Sequence, residues 1–149
     1  MRILIINGSL GGANGNTARA LQALSHRFSS STICHLADSP MPTRDDLAQA
    51  DGFVFSTGVY WDSWGSPLQK FFEQVTPLEG QSCWFGKPAA CLVTMHSVGG
   101  KEVLSRMQGV LNTFGLYVPP MAALTYSLAN DIALRSGAGS HADDLWSLR

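Results

Sequence analysis

The chain has 149 residues, 45% of them apolar and only 14% charged, with a net charge of -1 and a pI of about 6.4. That balance excludes a disordered chain, which would be poorer in apolar residues and richer in charge. It also excludes the basic field that draws a protein to nucleic acid or anionic lipid, and the strong acidic field of a small carrier that docks by charge. The length suits one domain, expected to run over residues 1–149, with 136–149 as a loose tail or a short last helix.

In chain order the pattern is strand, loop, helix, repeated. Arg2–Ile6 reads as a buried strand; its apolar run Ile3–Ile6 is far too short to span a bilayer. Asn16–Phe28 reads as a helix, with Thr17, Leu21, Leu24 and Phe28 on one face. Thr32–Leu36 is a short second strand. Thr43 reads as the N-cap of a short helix to about Gln49, with Asp45 and Asp46 in its first turn. Gly52–Ser56 is the third strand. Ser66 then reads as an N-cap, with Pro67 at the first helical position and Gln69 completing a capping box. Leu68, Phe71, Phe72 and Val75 form that helix's buried stripe. Ala89–Thr94 is the fourth strand, and Gly100–Phe114 a helix stopped by Gly115. Leu116–Val118 reads as the fifth strand, ended by Pro119-Pro120. Ser136–Ser140 is Gly/Ser-rich, and Ser140–Leu148 suits a short amphipathic helix.

Strands alternating with helices imply a parallel sheet covered on both faces, an α/β fold. Ligands of such sheets bind at the carboxyl ends of the strands. The three cysteines, Cys34, Cys83 and Cys91, are odd in number and lack CxxC spacing, which argues against a disulfide framework or a zinc site. Cys34 and Cys91 fall in apparent core strands, and free thiols there suit a reducing cytosol. The chain is expected to be soluble and cytoplasmic.

The loop after the first strand, Asn7–Thr17, has four glycines among eleven residues and feeds directly into a helix. Free N–H groups at a helix start bind phosphate. The hydroxyls of Ser9 and Thr17, the amides of Asn14 and Asn16 and the backbone at Gly15 suit that task. A Walker A loop needs Lys where Asn16 stands, and a dinucleotide fingerprint needs a glycine spacing that Gly8, Gly11 and Gly12 lack. A low-molecular-weight tyrosine phosphatase needs a cysteine in this loop, and there is none. What remains is a cradle that holds phosphate without transferring it, or a flexible turn and cap.

The loop after the third strand, Thr57–Gly65, carries Tyr60, Trp61 and Trp64. Aromatic rings at a ligand-binding edge suit a flat ligand, with Gly58, Val59, Asp62 and Ser63 offering backbone and polar contacts. Trp64 equally suits packing beneath the loop. In the loop after the fourth strand, Gly99 and Gly100 let backbone approach a ligand, Ser97 offers a hydroxyl, and His96 suits a ring contact or a plain polar loop position.

These pieces in order, over about residues 1–118, resemble the flavodoxin-like, NADPH-dependent FMN reductase family. Ile5-Ile6-Asn7-Gly8-Ser9 with Gly15-Asn16-Thr17 resembles its phosphate loop. Ala50–Thr57 with Val59-Tyr60-Trp61 resembles its third strand and ring loop, and Ser66–Phe72 the following helix. Gly86–Ala90 and Ser97–Gly100 resemble the approach to strand four and the third flavin loop. The resemblance implies a three-layer sandwich with a five-stranded parallel sheet of order 2-1-3-4-5. It implies bound FMN, NADPH or NADH as donor, and a small acceptor such as a quinone or free flavin, served in ping-pong order. It implies a homodimer or tetramer, and no obligatory catalytic side chain, because the cofactor carries the chemistry. Three features depart from the family: no basic residue lies between Arg2 and Arg19, Gly58 stands where relatives usually have Pro, and the segment after Pro120 is short and poorly matched, so an abbreviated last helix is expected. A flavodoxin-type electron carrier and a flavin-free interaction domain of the same fold are the alternatives.

Overall fold

The computed structural model describes residues 1–135; the expectations for Ser136–Ser140 and Ser140–Leu148 lie outside them. Five strands, β1 (Ile3–Asn7), β2 (Ser31–His35), β3 (Gly52–Gly58), β4 (Ala89–Met95) and β5 (Ala123–Ser127), form one sheet of order β2-β1-β3-β4-β5. Every pairing is parallel. In the register, Ile5 sits between Ile33 and Val54, and Phe55 between Ile6 and Cys91. The flavodoxin-like order expected from the resemblance is the one found.

Helices α1 (Asn16–Ser25), α2 (Arg44–Gln49), α3 (Ser66–Val75), α4 (Gly100–Phe114) and α5 (Leu128–Arg135) connect and follow the strands. Leu47, Leu68, Phe71, Phe72, Met107 and Leu111 pack on one sheet face around Phe53 and Phe55. Leu21 of α1 packs on the other face against Ile3, Ile5, Val54 and Leu92. Trp84, 1% exposed, fills the larger core between Phe53, Phe71 and Phe114. No helix among the described residues is long and apolar enough to cross a membrane.

Four expectations need correction. The fifth strand is Ala123–Ser127, not Leu116–Val118. Tyr117 makes only an isolated bridge with Pro88. Pro119 and Pro120 have no N–H to continue a ladder, so the chain turns there and pairs again beyond Ala122, whose carbonyl accepts from Cys91. Helix α3 starts at Ser66 with Gly65 as N-cap and no side-chain cap; Gln69 accepts from Trp64 Nε1 at 2.8 Å instead of closing a capping box. Helix α1 ends at Ser25, and a turn carries Phe28 back onto the smaller core. Cys34 lies half-buried on the edge strand β2, whereas Cys91 is buried. The cap of α2 is as read: Thr43 and Asp46 form a reciprocal capping box.

Candidate flavin site

The three loops at the carboxyl ends of β1, β3 and β4 meet at one cleft, and each is shaped by buried polar side chains. Asn7, fully buried at the end of β1, donates from Nδ2 to the Gly12 carbonyl at 3.0 Å and accepts the Ser9 N–H on Oδ1 at 3.1 Å. Asp38 braces the same loop from outside, accepting the Ala13 N–H at 2.6 Å. Gly11 and Gly15 lie back to back: a Cβ on Gly11 would stand 2.9 Å from the Gly15 Cα. Helix α1 follows with Gly15 as N-cap, no side-chain cap and no acidic residue in its first turn. Its first N–H groups therefore face the loop without a competing carboxylate. The Thr17 hydroxyl is turned inward, 2.7 Å from the Thr94 hydroxyl, so a buried bridge ties the start of α1 to the end of β4.

The second loop is clasped to the first. The Tyr60 hydroxyl lies 2.9 Å from Ser9 Oγ and accepts the Leu10 N–H at 3.1 Å. Tyr60 and Ser63 exchange backbone hydrogen bonds at 2.8 and 3.0 Å across Trp61 and Asp62. Both central residues have positive φ, and Trp61 is fully exposed at the tip. Trp64 packs beneath, edge-on to Phe72 with centroids 5.7 Å apart. In the third loop Gly99 adopts φ +83 and caps α4. The His96 carbonyl accepts from the Ala129 N–H and the Ser127 hydroxyl, while its imidazole is exposed.

The cleft has a volume of about 730 Å³, in the range that small-molecule sites occupy. Of the residues expected at the site, Ser9, Gly15, Asn16 and Thr17 line it from the first loop, Gly58, Val59 and Tyr60 from the second, and His96 from the third. Asn14 does not line it. Trp61, Asp62 and Ser63 form the turn at its edge, and Ser97, Gly99 and Gly100 lead into α4 without lining it. The sequence reading missed the far wall: Tyr126, Asp131 and Arg135 near α5, and Arg19 and Ala23 on α1. Arg135 Nε pairs with Asp131 at 2.9 Å. The hydrogen bond to Asp131 pushes the Tyr126 phenol above its ordinary range and raises Arg135 likewise. The positional signal for Arg19 was present: it follows Thr17 by two residues in the first turn and a half of α1.

The donor set fits the phosphate of a flavin mononucleotide. The first turn of α1 has no side-chain cap and no carboxylate of its own, it is approached by two glycines whose closeness leaves no room for side chains, and Arg19 opens on the same cleft, with Asp131 across it paired to Arg135.

The family model of NADPH-dependent FMN reductases matches residues 1–131. A curated NAD(P)H dehydrogenase (quinone) from a Chelativorans species is 28% identical over 103 residues, 68% of this chain and 52% of that protein. The chain thus spans about half the length of that relative. Among solved structures, an NADH:FMN oxidoreductase in its apo form aligns with a TM-score of 0.71 at 23% identity, over 90% of this chain and 79% of that one. General stress protein 14 from Treponema denticola, solved with FMN, aligns with a TM-score of 0.70 at 14% identity, over 91% of both chains. At such identities these structures show the fold. With the family model covering most of its length, the chain belongs to the NADPH-dependent FMN reductase family.

Proposed function

We propose that the protein is an FMN-dependent oxidoreductase that takes electrons from NADH or NADPH and delivers them to a small acceptor such as a quinone or free flavin. The observation that carries this reading is the uncapped, glycine-lined start of α1 opening on the same cleft as Tyr60 and His96. Bound FMN supplies hydride chemistry that no side chain of the cleft offers. The first-turn N–H groups of α1, with Ser9, Asn16 and the N–H of Thr17, hold its phosphate. Gly58, Val59 and Tyr60 on one side and His96 on the other flank its ring. Asn14 stays at the rim of the phosphate loop. Trp61, Asp62 and Ser63, with Ser97, Gly99 and Gly100, border the open side where donor and acceptor enter in turn.

Charge plays a small part in this design. The backbone dipole of α1 and Arg19 stand in for the basic loop residue that relatives carry, so FMN is held by geometry more than by ion pairing. The protein works as a homodimer or tetramer in the cytoplasm.

An absorbance spectrum of the purified protein with and without added FMN, followed by NADH and NADPH oxidation with a quinone, tests the reading. A perturbed flavin spectrum and donor oxidation that depends on FMN are the expected results. Parallel double-reciprocal lines are expected for donor and acceptor sharing one place; intersecting lines would overturn the ping-pong order. A protein that leaves the spectrum and the fluorescence of titrated FMN unchanged would overturn the function.

A further inference from the structure

The turn at the edge of the cleft has a shape its own sequence does not favour. Trp61 and Asp62 both hold left-handed backbone, φ +50 and +56, between the reciprocal hydrogen bonds of Tyr60 and Ser63. Two-residue turns of this kind are normally made by Asn-Gly or Asp-Gly. A tryptophan in left-handed backbone is a steric outlier, sustained only where surrounding contacts impose it.

Helix α4 supplies those contacts. The Arg106 guanidinium lies over the Trp64 ring, its central carbon 4.8 Å from the centroid. Its Nη1 donates to the carbonyl oxygen of Asp62 at 3.4 Å. Trp64 is itself fixed from α3, by Phe72 at its edge and by Gln69 on its indole N–H. One side chain therefore holds both a left-handed residue of the turn and the ring on which the turn rests. Among the described residues Arg106 makes no ion pair that would compete for it. At the start of the same helix, Gly99 has no side chain, and the space a Cβ would take is filled by the Asp62 carboxylate.

We propose that Arg106 is a positioning residue for the flavin site: from α4 it fixes the Tyr60–Ser63 turn through the Asp62 carbonyl and the Trp64 ring, touching neither flavin nor substrate. The proposal rests on the flavin reading above for its catalytic consequence, but its structural half stands without it. Arginine suits the task because one planar group stacks on a ring and donates in its own plane at once. Lysine keeps the cation and N–H donors but loses the planar fork; glutamine keeps a donor group and loses the cation.

The test compares Arg106→Ala, Arg106→Gln and Arg106→Lys with the unaltered protein. Near-ultraviolet circular dichroism of the protein without flavin reads the fixed Trp64 environment. Titration with FMN, followed by flavin fluorescence, reads the site. Arg106→Ala is expected to lose the Trp64 share of the tryptophan bands, as set by a Trp64→Phe reference, with the signal of buried Trp84 retained, and to bind FMN about tenfold more weakly, the loss of one cation–π contact and one hydrogen bond together. Arg106→Lys is expected to return within about threefold of the original affinity, and Arg106→Gln to stay close to Ala, because the ring contact needs the cation. The melting temperature should fall by no more than a few degrees, since Arg106 is exposed. Unchanged tryptophan bands in Arg106→Ala would overturn the proposal, as would changed bands with unchanged FMN affinity. If the unaltered protein itself binds no FMN, the flavin reading fails, and the dichroism alone decides whether Arg106 fixes the turn.

Discussion

Gly65 sits where the phosphate loop, the ring loop and the start of α3 touch, so Gly65→Ala probes all three at once. A Cβ there would stand 2.6 Å from the Gly8 carbonyl oxygen, 3.3 Å from Tyr60 Cε2 and 3.4 Å from the Leu10 nitrogen. The first contact falls about 0.8 Å short of ordinary van der Waals distance, and the obstructing atom is backbone. Its peptide plane is held from the other end, because the Ser9 N–H donates to Asn7 Oδ1 at 3.1 Å. Gly65 has φ -66 and ψ 146, which alanine adopts freely, so the cost is steric alone. Overpacking of this kind costs about 1–3 kcal/mol, and a backbone neighbour places it in the upper half. At 2–4 °C per kcal/mol for a chain of this size, the melting temperature should fall by about 4–12 °C. The displaced loops carry the site with them. Each hydrogen bond to a charged phosphate that a displaced loop gives up costs about 1.5 kcal/mol, so FMN affinity should drop by about tenfold or more. Scanning calorimetry and a flavin fluorescence titration read the two effects. Gly109→Ala is the control: nothing lies within 4 Å of its Cβ in α4, so it should stabilise by about 0.5–1 kcal/mol and leave the titration unchanged. A Gly65→Ala protein that melts within a degree of the original and binds FMN equally well would refute the claim that these loops touch through Gly65.

Tyr60→Phe removes the hydrogen bonds to Ser9 and Leu10 while keeping the ring in place; urea denaturation should show a loss of about 1–2 kcal/mol, and no loss would mean the loops are not clasped there. Thiol titration at pH 8 should find Cys34 alone, reacting slowly, since burial and then Asp46 raise its pKa, whereas burial pushes Cys91 up to about 12 and Cys83 is buried; all three should react in denaturant. Because the folded value of Cys91 is raised, its contribution to stability is complete below the ordinary thiol range and is lost as pH rises toward 12, so stability should decline in alkali; a Cys91→Ala protein with the same alkaline decline would contradict this. Thr43→Ala should cost about 1 kcal/mol at neutral pH by removing the cap of α2. The Thr43 hydrogen bonds hold Asp46 below the usual carboxylate range, so the capping contribution is present above that range and lost as pH falls through the lowered value. The gap between the Thr43→Ala and unaltered proteins should therefore narrow in acid as the Thr43 hydroxyl loses its bond to the Asp46 carboxylate, while the bond it accepts from the Asp46 N–H remains; a constant gap would count against the carboxylate's share in the cap.

The parts of this fold that were legible in the sequence are those set by short-range patterns. Strands β1, β3 and β4 are apolar runs buried on both faces, and the stripe Leu68, Phe71, Phe72 and Val75 has helical spacing that only one face of α3 can satisfy. The misread elements are those where a distant partner decides. Leu116–Val118 has strand composition, but two prolines stop its ladder before it forms, and β5 is defined by pairing with β4. Ser66 and Gln69 match a capping box locally, yet the Trp64 indole claims the glutamine. Trp84 left no periodic trace, because it lies in the turns between α3 and β4 and is buried against side chains of distant elements, rings of β3, α3 and α4 among them. For the site, the glycines and hydroxyls of the first loop announced a cradle. The wall formed by Tyr126, Asp131 and Arg135 did not, since nothing in their spacing relates them to α1 until the sheet brings them across from it.

The contacts that organise the cleft run from loop to loop. Tyr60 joins the second loop to the first, Thr17 and Thr94 join the start of α1 to the end of β4, and Asn7 closes the first loop on itself. Apart from Tyr60, half-buried, these groups are buried and paired, and breaking such a pair leaves a desolvated partner behind, so the arrangement persists before any ligand arrives. A preorganised site loses little freedom on binding. Under the proposed reading, that is how a cradle with no basic residue between Arg2 and Arg19 would hold a doubly charged phosphate: the N–H groups at the start of α1 have no side-chain cap, and little reorganisation would offset their attraction. The same logic locates the fragile point of the design in the Tyr60–Ser63 turn, whose left-handed residues are held by contacts from other elements and not by their own preference. Substitutions that loosen those contacts should weaken flavin binding well before they unfold the sheet.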